Sequence, residues 1–531
     1  METLRIGFRA KNGRGQTRRK GKRRKIMNYV LTNAQMREAD RFTIDALKIP
    51  SLLLMERAGA ALAEEAERLC PEDGDLVVVC GGGNNGGDGF VCARILLQKG
   101  RDVAVVCVAE KFTEECKKNK EEFEKLGGEV FSVFPRKRFS LAVDCLFGTG
   151  FQGELDGKNG AAADFINAAG RKVLSADIPS GVSGNSGVAA KRAVKANETL
   201  CIGEYKAGVF LGDGMDLAGE TRRADIGISL PGLSQEQPPY AFLIGKDEVA
   251  ALLPKRKRNT HKGTYGRTAI VAGSKKYTGA AYLAAAAALR SGAGYTSLFV
   301  PENILQSYLL KLPEVLLSPI GEGDRVAFNE KNFEKLLSFD SVAFGMGTEA
   351  SEDVFEGVKY LLKTYSGKLI LDADALNSLA KYGRGHLEEL FAEKKCDVLL
   401  TPHYKELSRL TGDCVGTVAE KGLDAPGAFA KALKATVLLK GASTIVTDGA
   451  RTAVNIAGTP GQAKGGSGDV LSGLIAGLCA GGLSAFDGGC AGAYLAGKAA
   501  EFAAEETGEY SLTASDEILY ISDAFLSLRE S

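Results

Sequence analysis

The sequence predicts two different doubly wound, three-layer α/β domains in series. Three observations carry the prediction. Short Val/Ile/Leu runs alternate with helical periodicity in two separate blocks, the pattern of buried parallel strands joined by crossover helices. Between the blocks, Ser229–Tyr240 (SLPGLSQEQPPY) sets three prolines among polar residues, which marks a linker. No internal repeat relates the blocks. The expected division is a basic tail over 1–26, a first domain over 27–230, a linker over 231–240 and a second domain over 241–531.

In the first block, 32–69 reads as mostly helical with a break at Ile49-Pro50. Strands are expected at Leu76–Cys80, Val103–Ala109, Leu141–Phe147 and Lys172–Asp177, with helices at Phe90–Lys99 and Glu114–Leu126. The second block opens with a strand at Thr268–Ala272 and an Ala-rich helix at Gly279–Arg290. Further strands are expected at Ser341–Phe344, Lys368–Leu371, Asp397–Leu400 and Val437–Leu439, and a helix at Val470–Leu478.

Composition narrows the function classes. The net charge of +1 conceals a tail whose first 25 residues hold eleven Lys/Arg against one acid, which leaves the rest of the chain at −9. An acidic body argues against a nucleic-acid surface. The tail lacks the apolar stretch of a secretory signal, and Met27, just before the first structured segment, is read as the true start. Eleven cysteines occur without a Cys-x-x-Cys pair, mostly in apolar runs, which implies reduced thiols and a cytoplasmic setting. The three histidines (His261, His386, His403) are too scattered for a zinc site, and no apolar run reaches membrane-spanning length.

Two glycine-rich segments carry the chemistry. Gly81–Gly89 (GGGNNGGDG) joins a strand to a helix, where a doubly wound sheet binds ligands. A tight turn alone would account for the glycines but not for Asn84, Asn85 and Asp88. Asp144 and Asp177 end neighbouring strands, so with the Asn loop they form an oxygen-rich crevice suited to a hard cation. In the second block, Lys464-Gly465-Gly466-Ser467-Gly468-Asp469 leads into a helix. Amides at such a helix start form an anion hole for a transferring phosphoryl group, and Asp469 can take the proton of an attacking hydroxyl. The loop is not a Walker A motif. Lys440–Thr444 follows a buried strand and suits nucleotide phosphate or ribose, and His403 lies beyond another strand end.

The stretches GGGNNGGDG (81–89), VDCLFGTGFQGE (143–154) and DIPSGVSG (177–184), with SLLLMERAG (51–59), resemble the NAD(P)H-hydrate epimerase family, over about residues 30–230. The resemblance implies a Rossmann-like domain whose substrate is held by Asn84, Asn85, Gly86, Gly87, Asp88, Gly148, Thr149, Gly150, Phe151, Gln152, Gly153, Glu154 and Asp177. It implies K+ at Asn85, Asp144 and the carbonyl or hydroxyl of Ser180, and Asp177 as the acid/base group. Gly82 stands where the family often has Pro.

The stretches HKGTYGRTAIVAGS (261–274), GAAYLAAAAALRSGAG (279–294), LDADALN (371–377), LLTPHYKE (399–406), LLKGASTIV (438–446) and AKGGSGDVLSG (463–473) resemble the ribokinase-like ADP/ATP-dependent NAD(P)H-hydrate dehydratases. That resemblance implies hydrate contacts at Ala281 (or its neighbour Ala280), Gly347, His403 and Asp469. It also implies a nucleotide site at Lys440, Gly441, Ala442, Ser443, Thr444 and Gly468, with Mg2+ and ADP or ATP, ADP being favoured. The Gly345-Met346-Gly347-Thr348 loop departs from the family's Gly-Pro-Gly-Leu.

Together the resemblances imply a bifunctional enzyme that repairs hydrated NADH and NADPH. The first domain would epimerise the R and S hydrates, and the second would dehydrate the S form through a phosphorylated intermediate. The partners expected are these small molecules, without nucleic acid or membrane, in a homo-oligomer. The alternative is a small-molecule kinase of ribokinase-like fold with a regulatory or scaffolding N-terminal domain.

Overall fold

The computed structural model describes residues 27–235 and 239–529. The basic tail and the middle of the linker lie outside the described residues.

Leu76–Cys80 is buried at every position, and its alternate residues serve two different cores. Leu76, Val78 and Cys80 join one apolar cluster, whereas Val77 and Val79 join another on the opposite face. A strand that is apolar throughout therefore lies inside a sheet covered on both sides. Around it runs a wholly parallel seven-stranded sheet: Val130–Phe131, Val103–Cys107, Leu76–Cys80, Phe139–Cys145, Gly170–Ala176, Glu198–Ile202 and Glu220–Ala224. Its last strand, ETRRA, is a polar edge, which is why apolar runs alone do not reveal it.

The second block repeats the logic in a larger sheet. Ile270 and Ala272 face one core while Ala269 and Val271 face the other. Seven parallel strands lie in the order Leu316–Pro319, Tyr295–Val300, Arg267–Val271, Ser341–Phe344, Lys368–Leu371, Asp397–Leu400 and Thr436–Leu439. Antiparallel strands Thr444–Thr447 and Thr452–Asn455 extend them. The sheet then continues through Ala241–Leu243, just past the linker, to Tyr29–Leu31 and Tyr205–Lys206 of the first block. The two halves thus share one twelve-stranded sheet.

Two expected helices are corrected. The helix read as Phe90–Lys99 starts six residues earlier and spans Asn84–Gln98, so Asn84–Asp88 form its first turn. The glycines there serve close approach, since none of Gly81–Gly89 has a positive φ. A Cβ on Gly86 would lie 2.0 Å from the Gly81 carbonyl oxygen, and one on Gly87 2.6 Å from the Met55 sulfur. The helix after Gly466 likewise starts at Ser467, not Val470, and runs to Ala480.

Candidate active sites

At the C-terminal ends of the seven parallel strands lies a cavity of about 1010 Å³ whose wall includes Asp40, Asn85, Asp88, Gly148, Asp177 and Lys206. Asp177 follows the strand Gly170–Ala176 and adopts φ +71°, a left-handed conformation that Asp tolerates better than most residues. Its carboxylate pairs with the fully buried Lys206 ammonium and accepts the Ile202 N–H at 3.3 Å. A Cβ on Gly148 would fall 2.9 Å from Asp177 Oδ2 and 3.6 Å from Asn85 Cγ, so the second glycine loop converges on the same point.

Two further carboxyls share this field. Burial pushes the Asp88 carboxyl well above the usual carboxylate range, and the Asp177 charge adds to it. Burial also raises Asp40 to about 6, with Lys206 opposing. The site therefore holds a buried ion pair beside two carboxyls whose charged forms burial disfavours.

Asp144 lies beneath the cavity, not on its wall, and is fully buried. It accepts four hydrogen bonds, from Leu146 N (3.2 Å), Ser175 Oγ (3.0 Å), Ser180 N (2.8 Å) and Ser180 Oγ (2.6 Å). Asn85 is the opposite case, because both its side-chain polar atoms are buried without a partner. Its free amide oxygen suits a hard cation, but Asp144 would have to release a Ser180 bond to join in.

Other expected contacts do not reach the cavity. Gly86 and Gly87 are consumed by helix packing. After Gly148, Thr149 and Gly150 the chain turns away. Phe151 packs against Phe147 with ring centroids 5.7 Å apart, Gln152 and Gly153 are exposed, and Glu154 accepts the Lys191 N–H.

The second constellation forms at the N-terminus of helix Ser467–Ala480. Gly466 adopts φ +110°, which turns the chain into the helix. Asp469 sits in the first turn, where burial and then the Asp372 charge push its carboxyl up to about 7 against the pull of Lys440. Lys440 Nζ lies 2.7 Å from Asp372 Oδ1 and 4.0 Å from Glu406, while Ser472 Oγ donates to Asp372 Oδ2 at 2.7 Å. Burial works against the Lys440 charge, but the surrounding carboxylates outweigh it and raise its pKa. A Cβ on Gly468 would lie 3.6 Å from Lys440 Nζ, so the helix start faces this pair directly.

Three further expected residues, Ala281, His403 and Ser443, are placed by contacts of their own. Ala281 is fully buried, while Ala280 is the alanine beside Gly347, its Cβ 2.9 Å from where a Gly347 Cβ would stand. His403 caps helix Tyr404–Thr411, its Nδ1 accepting the Lys405 and Glu406 N–H groups at 3.1 and 3.2 Å. Burial and then Lys440 lower its pKa, and its Nε2 lies 3.6 Å from Glu406 Oε2. Ser443 is buried and donates its hydroxyl to the Phe210 carbonyl of the first block, whereas Gly441 and Ala442 are exposed.

The family described as NAD(P)H-hydrate dehydratase matches residues 268–522, and the family described as YjeF-related protein N-terminus matches 51–208. A bifunctional NAD(P)H-hydrate repair enzyme of Moorella thermoacetica is 34% identical over 524 residues, covering 94% of this chain and 97% of its own. Its counterpart in Thermofilum pendens is 36% identical over 513 residues, covering 94% and 96%. The chain belongs to the bifunctional NAD(P)H-hydrate repair enzymes. It accordingly combines an epimerase and a dehydratase, and the small-molecule kinase alternative is not favoured. An ADP/ATP-dependent NAD(P)H-hydrate dehydratase of Bacillus subtilis, solved with ATP and Mg2+, shows 27% identity over 56% of this chain and all of its own, with a TM-score of 0.48.

Lys206, Asp40 and Asp372 stand in these candidate sites, and sequence reading passed over them. Asp372 and Asp374 stand within LDADALN, and Ala373 between them adopts a strained φ of +48° that shows only in the backbone. Lys206 carries no signal in TLCIGEYKAG. Among the described residues no helix is long and apolar enough to cross a membrane, and all eleven cysteines are free.

Proposed function

We propose that residues 27–230 epimerise the R and S hydrates at carbon 6 of the damaged nicotinamide ring, and that residues 241–531 dehydrate the S form at the expense of ADP, with ATP the lesser substrate. The observation that carries the dehydratase reading is Asp469, a carboxyl raised to about 7 at the start of a glycine-led helix and facing a Lys–Asp pair. A base with that pKa is poised for proton transfer near neutrality.

Asp469 takes the proton of the ring hydroxyl as its oxygen attacks the terminal phosphoryl group, and the amides following Gly466 stabilise the charge on phosphate. Lys440, held by Asp372, sets its cation against the nucleotide phosphates beside Gly441, Ala442, Thr444 and Gly468. The ring nitrogen lone pair then expels phosphate from carbon 6, and loss of a proton from carbon 5 restores the dihydropyridine. Ala280, Gly347 and the outer edge of His403 border the hydrate.

Among the described residues no group of three His, Cys, Asp or Glu is arranged to hold a metal. Mg2+ would supply charge neutralisation on the nucleotide phosphates. In the epimerase site Asp177, fixed by Lys206, is the acid/base group, and Asn84, Asn85, Asp88, Gly148, Thr149 and Gly150 surround the ring. K+ would take the free Asn85 oxygen with Asp144 and Ser180, and would orient the loops. A homo-oligomer in the cytoplasm completes this reading.

The test is to incubate mixed hydrate epimers with ADP or ATP and follow the return of dihydronicotinamide absorbance. Asp469→Asn should abolish that return while leaving epimerisation on the same chain intact. Retained turnover would refute the base role.

A further inference from the structure

The loop leading to the phosphoryl-transfer helix is anchored from outside. Gly458 N donates to Glu501 Oε1 at 2.8 Å and Thr459 Oγ1 to Glu509 Oε1 at 2.6 Å. Lys464 Nζ donates to the Tyr510 and Leu512 carbonyls at 2.7 and 2.6 Å. Ser467, the first helical residue, donates its hydroxyl to Glu517 Oε1 at 2.6 Å, and Gln462 Nε2 reaches Glu517 Oε2 at 3.4 Å. All these acceptors belong to the last two helices, Ala485–Thr507 and Ala514–Ser527, or to the turn between them.

Glu517 stands out among them. It is 1% exposed and makes no ion pair with a cationic side chain among the described residues. Burial raises its pKa, with the Ser467 and Gln462 hydrogen bonds opposing. Burying a carboxyl costs several kcal/mol unless its bonds compensate, so an apolar residue would serve the core better. What the carboxyl adds is a hold on Ser467. Residues two apart on a helix point to different faces, so fixing Ser467 against the last helix also fixes the face that presents Asp469. Gly465 and Gly466 just before it give the chain little stiffness of its own.

We propose that Glu517 is a positioning residue for phosphoryl transfer, holding Ser467 so that the helix start and Asp469 keep the register the reaction needs. This rests on the role assigned above to residues 465–469.

The experiment compares Glu517→Ala, Glu517→Gln and the Glu517→Ala/Ser467→Ala double variant in the full chain. It measures dehydratase kcat and nucleotide KM, thermal midpoint, and the epimerase rate as an internal control for folding. Misplacing a catalytic group by about 1 Å costs on the order of 100-fold. Glu517→Ala should accordingly lower dehydratase kcat about tenfold or more, with a smaller change in KM and an unchanged epimerase rate. Glu517→Gln keeps an acceptor for Ser467 and should regain most of the lost kcat, and the Glu517→Ala/Ser467→Ala double variant should be no slower than Glu517→Ala. A wild-type kcat in Glu517→Ala, even with a lowered thermal midpoint, would show a merely structural role. Glu517→Gln as slow as Glu517→Ala would overturn the inference too. Retained turnover in Asp469→Asn would instead strike the loop reading beneath it.

Discussion

Lys206→Met removes the cation from the epimerase site while keeping most of the side-chain volume. Lys206 is 1% exposed and its Asp177 partner lines the cavity wall, so the variant leaves Asp177 with the Ile202 N–H as its remaining described hydrogen bond. Removing one partner of a buried pair costs about 3–5 kcal/mol. Asp177 borders the cavity and regains some water, so about 2–4 kcal/mol is the working figure. For a domain of this size each kcal/mol moves the thermal midpoint by roughly 2–4 °C, which gives a fall of roughly 4–16 °C. Epimerisation should drop about 100-fold or more, the usual worth of a positioned proton-transfer group. The assay supplies mixed epimers with excess nucleotide. Wild type should convert the whole mixture, whereas the variant should convert the S fraction at the normal rate and then slow to the uncatalysed exchange of the remainder. Complete conversion at the wild-type rate, with an unmoved thermal midpoint, would refute both the catalytic and the energetic reasoning.

Three further outcomes follow from the dehydratase site. Its rate should rise with pH through about 7 as Asp469 ionises, which a pH–rate profile of the wild-type chain would show. Because the folded pKa lies above the unfolded value, the group's contribution to stability is present below about 4 and is lost as pH rises to about 7. At about 1.36 kcal/mol per unit this reaches up to about 4 kcal/mol. Asp469→Asn should therefore raise the thermal midpoint at pH 8 more than at pH 4, as calorimetry at the two pH values would show. Gly466→Ala should cost more than tenfold in dehydratase rate with epimerisation spared. At φ +110° a side chain costs about 1–3 kcal/mol, and the new Cβ would stand 2.7 Å from Leu283 Cδ1 and 2.8 Å from Ala514 Cβ. Steady-state kinetics on the one chain reads both activities.

The central strands were legible because a strand buried on both faces carries a continuous apolar run, with a polar residue only at its end. Leu76–Cys80, Ser341–Phe344, Lys368–Leu371 and Asp397–Leu400 form where their runs place them. Tyr29–Leu31, Tyr205–Lys206 and Ala241–Leu243 were not legible, since strands of two or three residues exist only through distant partners. Asn84–Asp88 misled for a different reason. Glycines suggest a loop, whereas here they let the first helical turn press against Gly81 and Met55. Asp469 and Asp177 announced themselves by standing at a helix start and a strand end. Lys206 did not, because its role comes from an ion pair across 29 positions of chain.

The shared sheet bears on how such a protein could be cut or recombined. Cleavage within 231–240 would break the chain without parting the halves, because Tyr29–Leu31 would still be zipped to Ala241–Leu243 and Ser443 to Phe210. Expressed alone, the C-terminal piece would carry Ala241–Leu243 as a bare edge, open to any other extended segment, including one from a second copy. A transplanted N-terminal half would have to bring a matching strand at 29–31 before it could dock. The backbone pairing itself thus keeps the two halves together, apart from any advantage of keeping two consecutive reactions together.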